Sequence, residues 1–296
     1  MIQRNNNLSV LPFYENPQEL SNERTYAYGE VYPLYTPLGS VPPFQILMPH
    51  GSETIANVYL RKYGEEESEA TDIEQAMTDS GLRIARYTSY DIVIYPSVAP
   101  AGITTEEGRQ QVIIELSGGG KLYSDWFTVV ADMSAFLQIQ WWDIADLVMD
   151  GTRIAYAAGF KNVLWLNTQL GKPEYEFEEE GETRDGYFYP EKMISEKKYK
   201  CVILAPEYLC DVMRFIRMSD YVIVQDRYGH SYRCDTFLCT PKWETQGDLA
   251  SVEIEFTCET VAKKVGRGYI AENLGDFNDD YNNDYLIEEE ENNQED

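Results

Sequence analysis

The sequence predicts a mainly β protein: a β-sandwich followed by a mixed, mostly antiparallel β domain with one short helix, framed by an extended N-terminal arm and an acidic C-terminal tail. Three observations predict it. Short apolar runs such as FQILM, YDIVIYP and QVIIEL recur between Gly, Pro or acidic turns, as they do in sandwiches and barrels. In ASVEIEFTCETV, Val252, Ile254 and Phe256 alternate with Glu253, Glu255 and Thr257, the mark of an antiparallel strand buried on one face. Only one segment, from Pro206 onward, places apolar residues at three- and four-residue steps: Leu209, Val212, Met213 and Ile216.

Taken in order, residues 1–43 read as an arm. Prolines 17, 33, 37, 42 and 43 lack an amide donor and argue against a sheet interior. A long extended arm is unusual within a compact domain, so it is expected either to lie along a neighbouring subunit or to be a disordered leader. Residues 44–130 carry FQILM, ANVYLRKY, GLRIARY, YDIVIYP, QVIIEL and KLYSDWFTVV, the strands of an immunoglobulin-like or jelly-roll sandwich. Gly64 to Asp79 interrupts them as an acidic loop ending in a helical turn.

Within that domain IELSGGGKLYSDWFTV imitates a phosphate-binding loop. The position five before the Gly120-Lys121 pair is Glu115 rather than Gly, and Leu122 stands where Ser or Thr is needed for magnesium. The residues that follow are aromatic and β-branched, so no helix N-terminus receives an anion. The glycines are expected to form a hairpin, and no cofactor site remains.

Residues 131–265 form the mixed domain. SAFLQIQWWD and NVLWLN are strand-like; an acidic hairpin follows in KPEYEFEEEGETRDGYFYPEK, then a strand at Tyr199–Leu204, the helix, and a return to antiparallel sheet. The tail, 266–296, holds eleven acids and one arginine, a net −10. Acidic, Asn-rich segments of this kind take shape on a partner. Tyr269, Phe277, Tyr281 and Tyr285 are spaced there as anchors.

Composition excludes several functions. A net charge of −27 opposes general nucleic-acid binding and anionic membrane surfaces. No apolar run spans a bilayer, and MIQRNNNLSVLPFYENP lacks the core of a secretion signal, so synthesis and use without Sec export are expected. Five cysteines without a C-x-x-C pair support neither a disulfide framework nor a zinc site.

Each candidate chemical site meets a plainer reading. His50 and His230 lie in turns with no nucleophile elbow nearby. Seven acids from Glu174 to Asp185 are too crowded for a carboxylate pair with separated pKa values, and read as a solvated hairpin or a subunit contact. Asp276, Asn278 and Asp280 begin like a calcium loop, but Tyr281 and Ile287 stand where Gly and a bidentate acid belong. No metal site is therefore expected. Trp126, Trp142, Trp165 and Trp243 are read as core or interface residues, with a glycan platform left open; adjacent Trp141 and Trp142 must face opposite ways.

KNVLWLNTQLGKPEYEFEEEGETRDGYFYPEKMISEKKYK, LAPEYLCDVMRFIRMSDYVIV and PKWETQGDLASVEIEFTCETVAKKVG, with the preceding YSDWFTVVADMSAFLQIQWWD, resemble structural proteins of tailed bacteriophages and prophages of Bacteroidota. The likeness covers roughly residues 44–268 and brings no catalytic residues. It implies a virion component of the tail, neck ring or baseplate, made in the host cytoplasm and non-enzymatic. It also implies a homo-oligomeric ring contacting other virion proteins. The long acidic tail departs from the pattern. Candidate interface residues are Tyr14, Tyr32 and Tyr35 in the arm, Glu178 and Glu180 in the hairpin, Lys197 and Lys198 beside it, and the four tail aromatics. Lys192, Lys197 and Lys198 are expected to meet the carboxylates of the next subunit. The alternative function is a carbohydrate-binding or receptor-adhesion module.

Overall fold

A computed structural model describes residues 9–16, 25–26, 29–30, 34–51, 53–96, 103, 105–149, 152–243 and 249–264. They form a mainly β fold built from several sheets.

The first sheet is organised by the strand Gly108–Leu116, where Val112 and Ile114 pack into the main core, Ile113 packs against Tyr14 and Tyr123, and Glu115 is half-buried. Ile55–Lys62 pairs with it in antiparallel register, Val112 opposite Leu60 and Ile114 opposite Val58. Lys121–Ser124 and Phe127–Val130 pair with its other edge. Residues 117–120 close the hairpin as expected. Gly119 has φ +82°, which a side chain would strain, and the Leu116 N–H donates to the Gly120 carbonyl at 2.8 Å.

Two parts of the expected arm belong to this sheet instead. Phe13–Tyr14 pairs with Lys121–Ser124, and Tyr35–Pro37 runs parallel to Phe127–Val130. Leu11, Phe13, Leu34 and Val41 are buried, and the Phe13 ring lies 4.5 Å from that of Phe44. The proline argument fails locally because Pro37 ends an edge strand and Pro12 supplies only its carbonyl, which accepts the Asp125 N–H at 2.9 Å.

A second sheet, Phe44–Pro49, Tyr90–Tyr95 and Arg83–Arg86, lies over the first in a sandwich-like arrangement. Phe44, Ile46, Met48, Val93 and Tyr95 meet Val58, Leu60, Ile114, Phe127 and Val129 in one core. Its other face is also covered: Leu47, Ile92 and Ile94 pack with Ile154, Tyr156, Phe160 and Phe215. Burial on both faces explains why YDIVIY is a continuous apolar run rather than an alternating one. It also places residues of the expected second domain against the first.

The other seven-stranded sheet has the order Asn162–Leu166, Leu137–Trp142, Tyr221–Gln225, Ser231–Trp243, Ala250–Lys264, Tyr187–Ala205 and Glu174–Arg184. The helix Glu207–Ile216 follows Pro206, which caps it from outside the first turn, and buries Leu209, Val212, Met213 and Ile216. Val252, Ile254 and Phe256 are buried as their alternation predicts. Thr257 is buried too, because the register shifts between Cys234 and Thr236 and its hydroxyl meets that of Thr236 at 2.7 Å.

Compactness divides the chain elsewhere than at residue 130. One unit holds 1–175 and 197–259; the other holds 176–196 and 260–296. A single apolar core runs from Val10 to Cys258 through the first unit, so the expected boundary between 44–130 and 131–265 falls inside it.

Candidate interaction surface

Among the described residues, the second unit holds a hairpin whose turn is encoded by Asp185-Gly186. Both residues have positive φ, 51° and 81°, the condition for the two-residue turn whose twist matches the flanking strands. Gly181 is required a few residues earlier. A Cβ there would run into the Tyr189 carbonyl oxygen and lie 2.8 Å from Pro190 Cα, so no side chain fits.

Every residue of Glu174–Arg184 is exposed. From 176 to 196 the chain carries eight acids and two bases, a net −6. Exposed with them are Phe177 (70%), Tyr187 (70%), Phe188 (48%), Tyr189 (41%) and Met193 (36%). Side chains alternate along a strand, so Glu176, Glu178 and Glu180 share one face and Phe177 takes the other. Lys192 reaches Glu180 at 3.3 Å from that acidic face, which leaves Met193 on the side of Phe177. Arg184 contacts Glu182. Glu178 and Glu179 have no partner among the described residues. Like-charged neighbours and exposed rings are both unfavourable in water, so this surface is poorly matched to solvent on each of its faces.

The structure separates the other expected interface residues. Tyr14 is 2% exposed, packed with Ile113 and Tyr123, and so takes part in this chain's own folding rather than in a contact with a neighbour. Tyr35 is half-buried, its ring 4.9 Å from Phe136. Tyr32, Tyr269, Phe277, Tyr281 and Tyr285 lie outside the described residues. Lys197 lies 3.1 Å from Glu259 and over the rings of Tyr199 and Tyr232; Lys198 lies 3.3 Å from Glu255. Burial pulls the Lys197 ammonium down, but Glu259 and Tyr199 outweigh it and hold its pKa above the ordinary value. These lysines, with Lys192, are paired within the chain.

Elsewhere, each histidine is held by an aspartate. His50 Nδ1 lies 3.1 Å from Asp91, and His230 Nδ1 lies 3.1 Å from Asp226. Asp226 also accepts the N–H groups of Tyr228 and His230, closing a turn. A cleft of about 320 Å³ lies between Phe136, Gln169, Lys172 and Arg227. Arg227 donates to Gln169 at 2.9 Å and covers the Tyr228 ring, so its guanidinium is engaged with the wall of the cleft. The described residues contain no group of three or more His, Cys, Asp or Glu placed to hold a metal ion.

Trp126, Trp141 and Trp142 are engaged by the chain itself. Trp141 is buried. Trp142 stacks on Tyr221 at 5.1 Å, with the Lys161 ammonium 4.2 Å from its centroid. Trp126 carries the Arg61 guanidinium at 5.2 Å and meets Tyr63 edge-on. Trp243 is 46% exposed.

Sequence reasoning found the hairpin and its acids but passed over its exposed aromatics. The signal was present in EYEFEEE, where Tyr175 and Phe177 alternate with glutamate. Alternation of this kind normally means a buried apolar face, and only the structure shows that face open.

No protein-family model matches the chain, and no curated protein matches it. Among solved structures, the titin domains z1z2 in complex with telethonin are similar over 79% of this chain and 91% of that chain. Identity is 11% and the TM-score 0.16, too low to carry an argument about fold or function.

Proposed function

We propose that this chain is a non-enzymatic structural subunit of a bacteriophage virion, in the tail, neck ring or baseplate. The observation that carries an assembly role is the hairpin of residues 176–196. It forms part of a compact unit separate from the main core and presents large apolar residues and carboxylates to solvent. Burying one such ring against a partner gains about 1.5–3 kcal/mol, and an interface needs a few such anchors. The assignment to a virion rests on the resemblance of residues 44–268 to phage structural proteins.

The deciding experiment is electron microscopy of the purified full chain and of particles carrying it. The expected result is density for the chain at a defined position of a tail, neck or baseplate, with the hairpin in contact with a neighbour. A chain that stays outside purified particles, or hairpins that remain in solvent within them, would overturn the reading.

A further inference from the structure

We infer that the open edge of the hairpin binds an extended, lysine- or arginine-bearing strand of a different protein, which adds to the sheet beside Glu174–Arg184. The inference rests on the assembly reading and names the partner's chemistry. Three features of the surface lead to it.

Glu174–Arg184 is the last strand of its sheet, with no further strand beyond it among the described residues. Such an edge presents backbone donors and acceptors that an incoming strand can pair. At eleven residues it is long, and natural edges are usually short or covered.

The side chains then select the occupant. Glu176, Glu178 and Glu180 recur at every second position, about 7 Å apart along the strand. A strand with a cation at alternate positions places one beside Glu178, which has no partner among the described residues, and the others beside carboxylates that already have a contact within the chain. On the opposite face Phe177 is open to receive an apolar side chain from the same incoming strand. Glu179 shares that face with Phe177, so the incoming strand carries basic residues on one side and both an apolar and a basic residue on the other.

A second copy of this chain fits badly. Edge-to-edge pairing of two hairpins would set one row of glutamates against another, and like charges opposite each other destabilise a sheet. The hairpin's bases, Arg184 and Lys192, are already engaged with Glu182 and Glu180. A chain of net −27 also repels itself at long range.

The test uses the full chain and three peptides of equal charge: one alternating Lys and Val, one with the same residues scrambled, and one alternating but N-methylated at every second amide. Fluorescence anisotropy is expected to show the alternating peptide binding at least tenfold more tightly than either control. The triple variant Glu176→Gln/Glu178→Gln/Glu180→Gln should lose at least tenfold of that affinity, with its circular dichroism unchanged. Equal binding of all three peptides would reduce the effect to bulk charge and overturn the inference. Hairpin-dependent dimers in high salt, seen by analytical ultracentrifugation, would overturn it by making a second copy the occupant. If particles incorporate the chain while the alternating peptide fails to bind, the partner assignment falls and the assembly reading stands.

Discussion

The side chain of Gln45 makes two hydrogen bonds to the backbone of one residue, Ala155, 110 positions away: its amide nitrogen donates to the carbonyl at 3.1 Å, and its oxygen accepts the N–H at 2.9 Å. Gln45 is 2% exposed and Ala155 is fully buried. The glutamine thus pairs as a neighbouring strand would, and joins the second sheet to the segment around Ile154. Replacing Gln45 with Leu leaves the Ala155 N–H and C=O buried without these partners. Each such group costs about 1–3 kcal/mol, so Gln45→Leu is expected to destabilise the protein by roughly 2–6 kcal/mol in urea denaturation. A loss below about 1 kcal/mol would show that Ala155 finds other partners.

The N-terminal segment supplies the second prediction. Leu11 is fully buried, and Phe13 lies between the strand Lys121–Ser124 and the Phe44 ring. Phe13→Ala is expected to cost about 3–5 kcal/mol and Leu11→Ala about 2–5 kcal/mol, as for other buried truncations. Removal of residues 1–43 should then prevent folding rather than release a folded monomer. A deletion protein with near-native circular dichroism and a cooperative melt would contradict this.

These residues show where sequence reasoning succeeds and where it stops. The glycine hairpin at 117–120, the acidic hairpin at Asp185-Gly186 and the helix at Glu207–Ile216 were legible because each rests on local chemistry: positive φ, turn residues or helical spacing. The role of Phe13 was not legible, since LPFY is a short run amid polar residues and its strand exists only by pairing with the distant Lys121–Ser124. The boundary expected at residue 130 failed for the same reason. Ile92 and Ile94 read as one buried run whatever covers them, and nothing local reveals that Tyr156 and Phe160 do so. At the candidate surface the carboxylates were legible as composition, whereas the exposure of Phe177 depends on what its neighbours leave open.

The paired aspartates give a pH dependence. Burial pushes the Asp91 carboxyl up, but the Gly51 N–H at 2.9 Å and His50 outweigh it and hold its pKa below the ordinary value. Asp226 behaves alike: burial opposes, while His230 and the Tyr228 N–H prevail. Both folded pKa values therefore lie below their unfolded ones. The stabilisation is complete above the unfolded value, near pH 4, and is lost as pH falls through the folded value. Melting temperature should decline below pH 4, and Asp91→Asn should flatten that decline. An identical acid slope in the variant would remove Asp91 from the account.

Thiol reactivity follows from burial. Desolvation pushes the Cys201 and Cys239 thiols up to about 12 and Cys210 up to about 11. Only a very small fraction of each is thiolate at pH 8, and thiolate is the nucleophile. These three cysteines are expected to react with Ellman's reagent far more slowly than a free thiol, and to match it once the chain is unfolded in guanidinium. Rapid labelling of Cys201 or Cys239 in the native protein, located by peptide mass spectrometry, would mean that the core opens on the labelling time scale.

Gly181 allows the hairpin to be disturbed without touching the main core. Any Cβ at this position meets the backbone of Tyr189 and Pro190, which cannot rotate aside as a side chain would. Gly181→Ala is therefore expected to force the two strands apart locally. Residues 176–196 belong to a different compact unit from the core that holds Val58, Ile114 and Phe256. Local opening and global unfolding are separate events in such a case. Hydrogen exchange at the amides of 177–192 should accelerate at least tenfold in Gly181→Ala, while the melting temperature stays that of the parent chain. A large fall in melting temperature would mean that the hairpin folds as one with the core, and unchanged exchange would mean that the strands already have room for a methyl group.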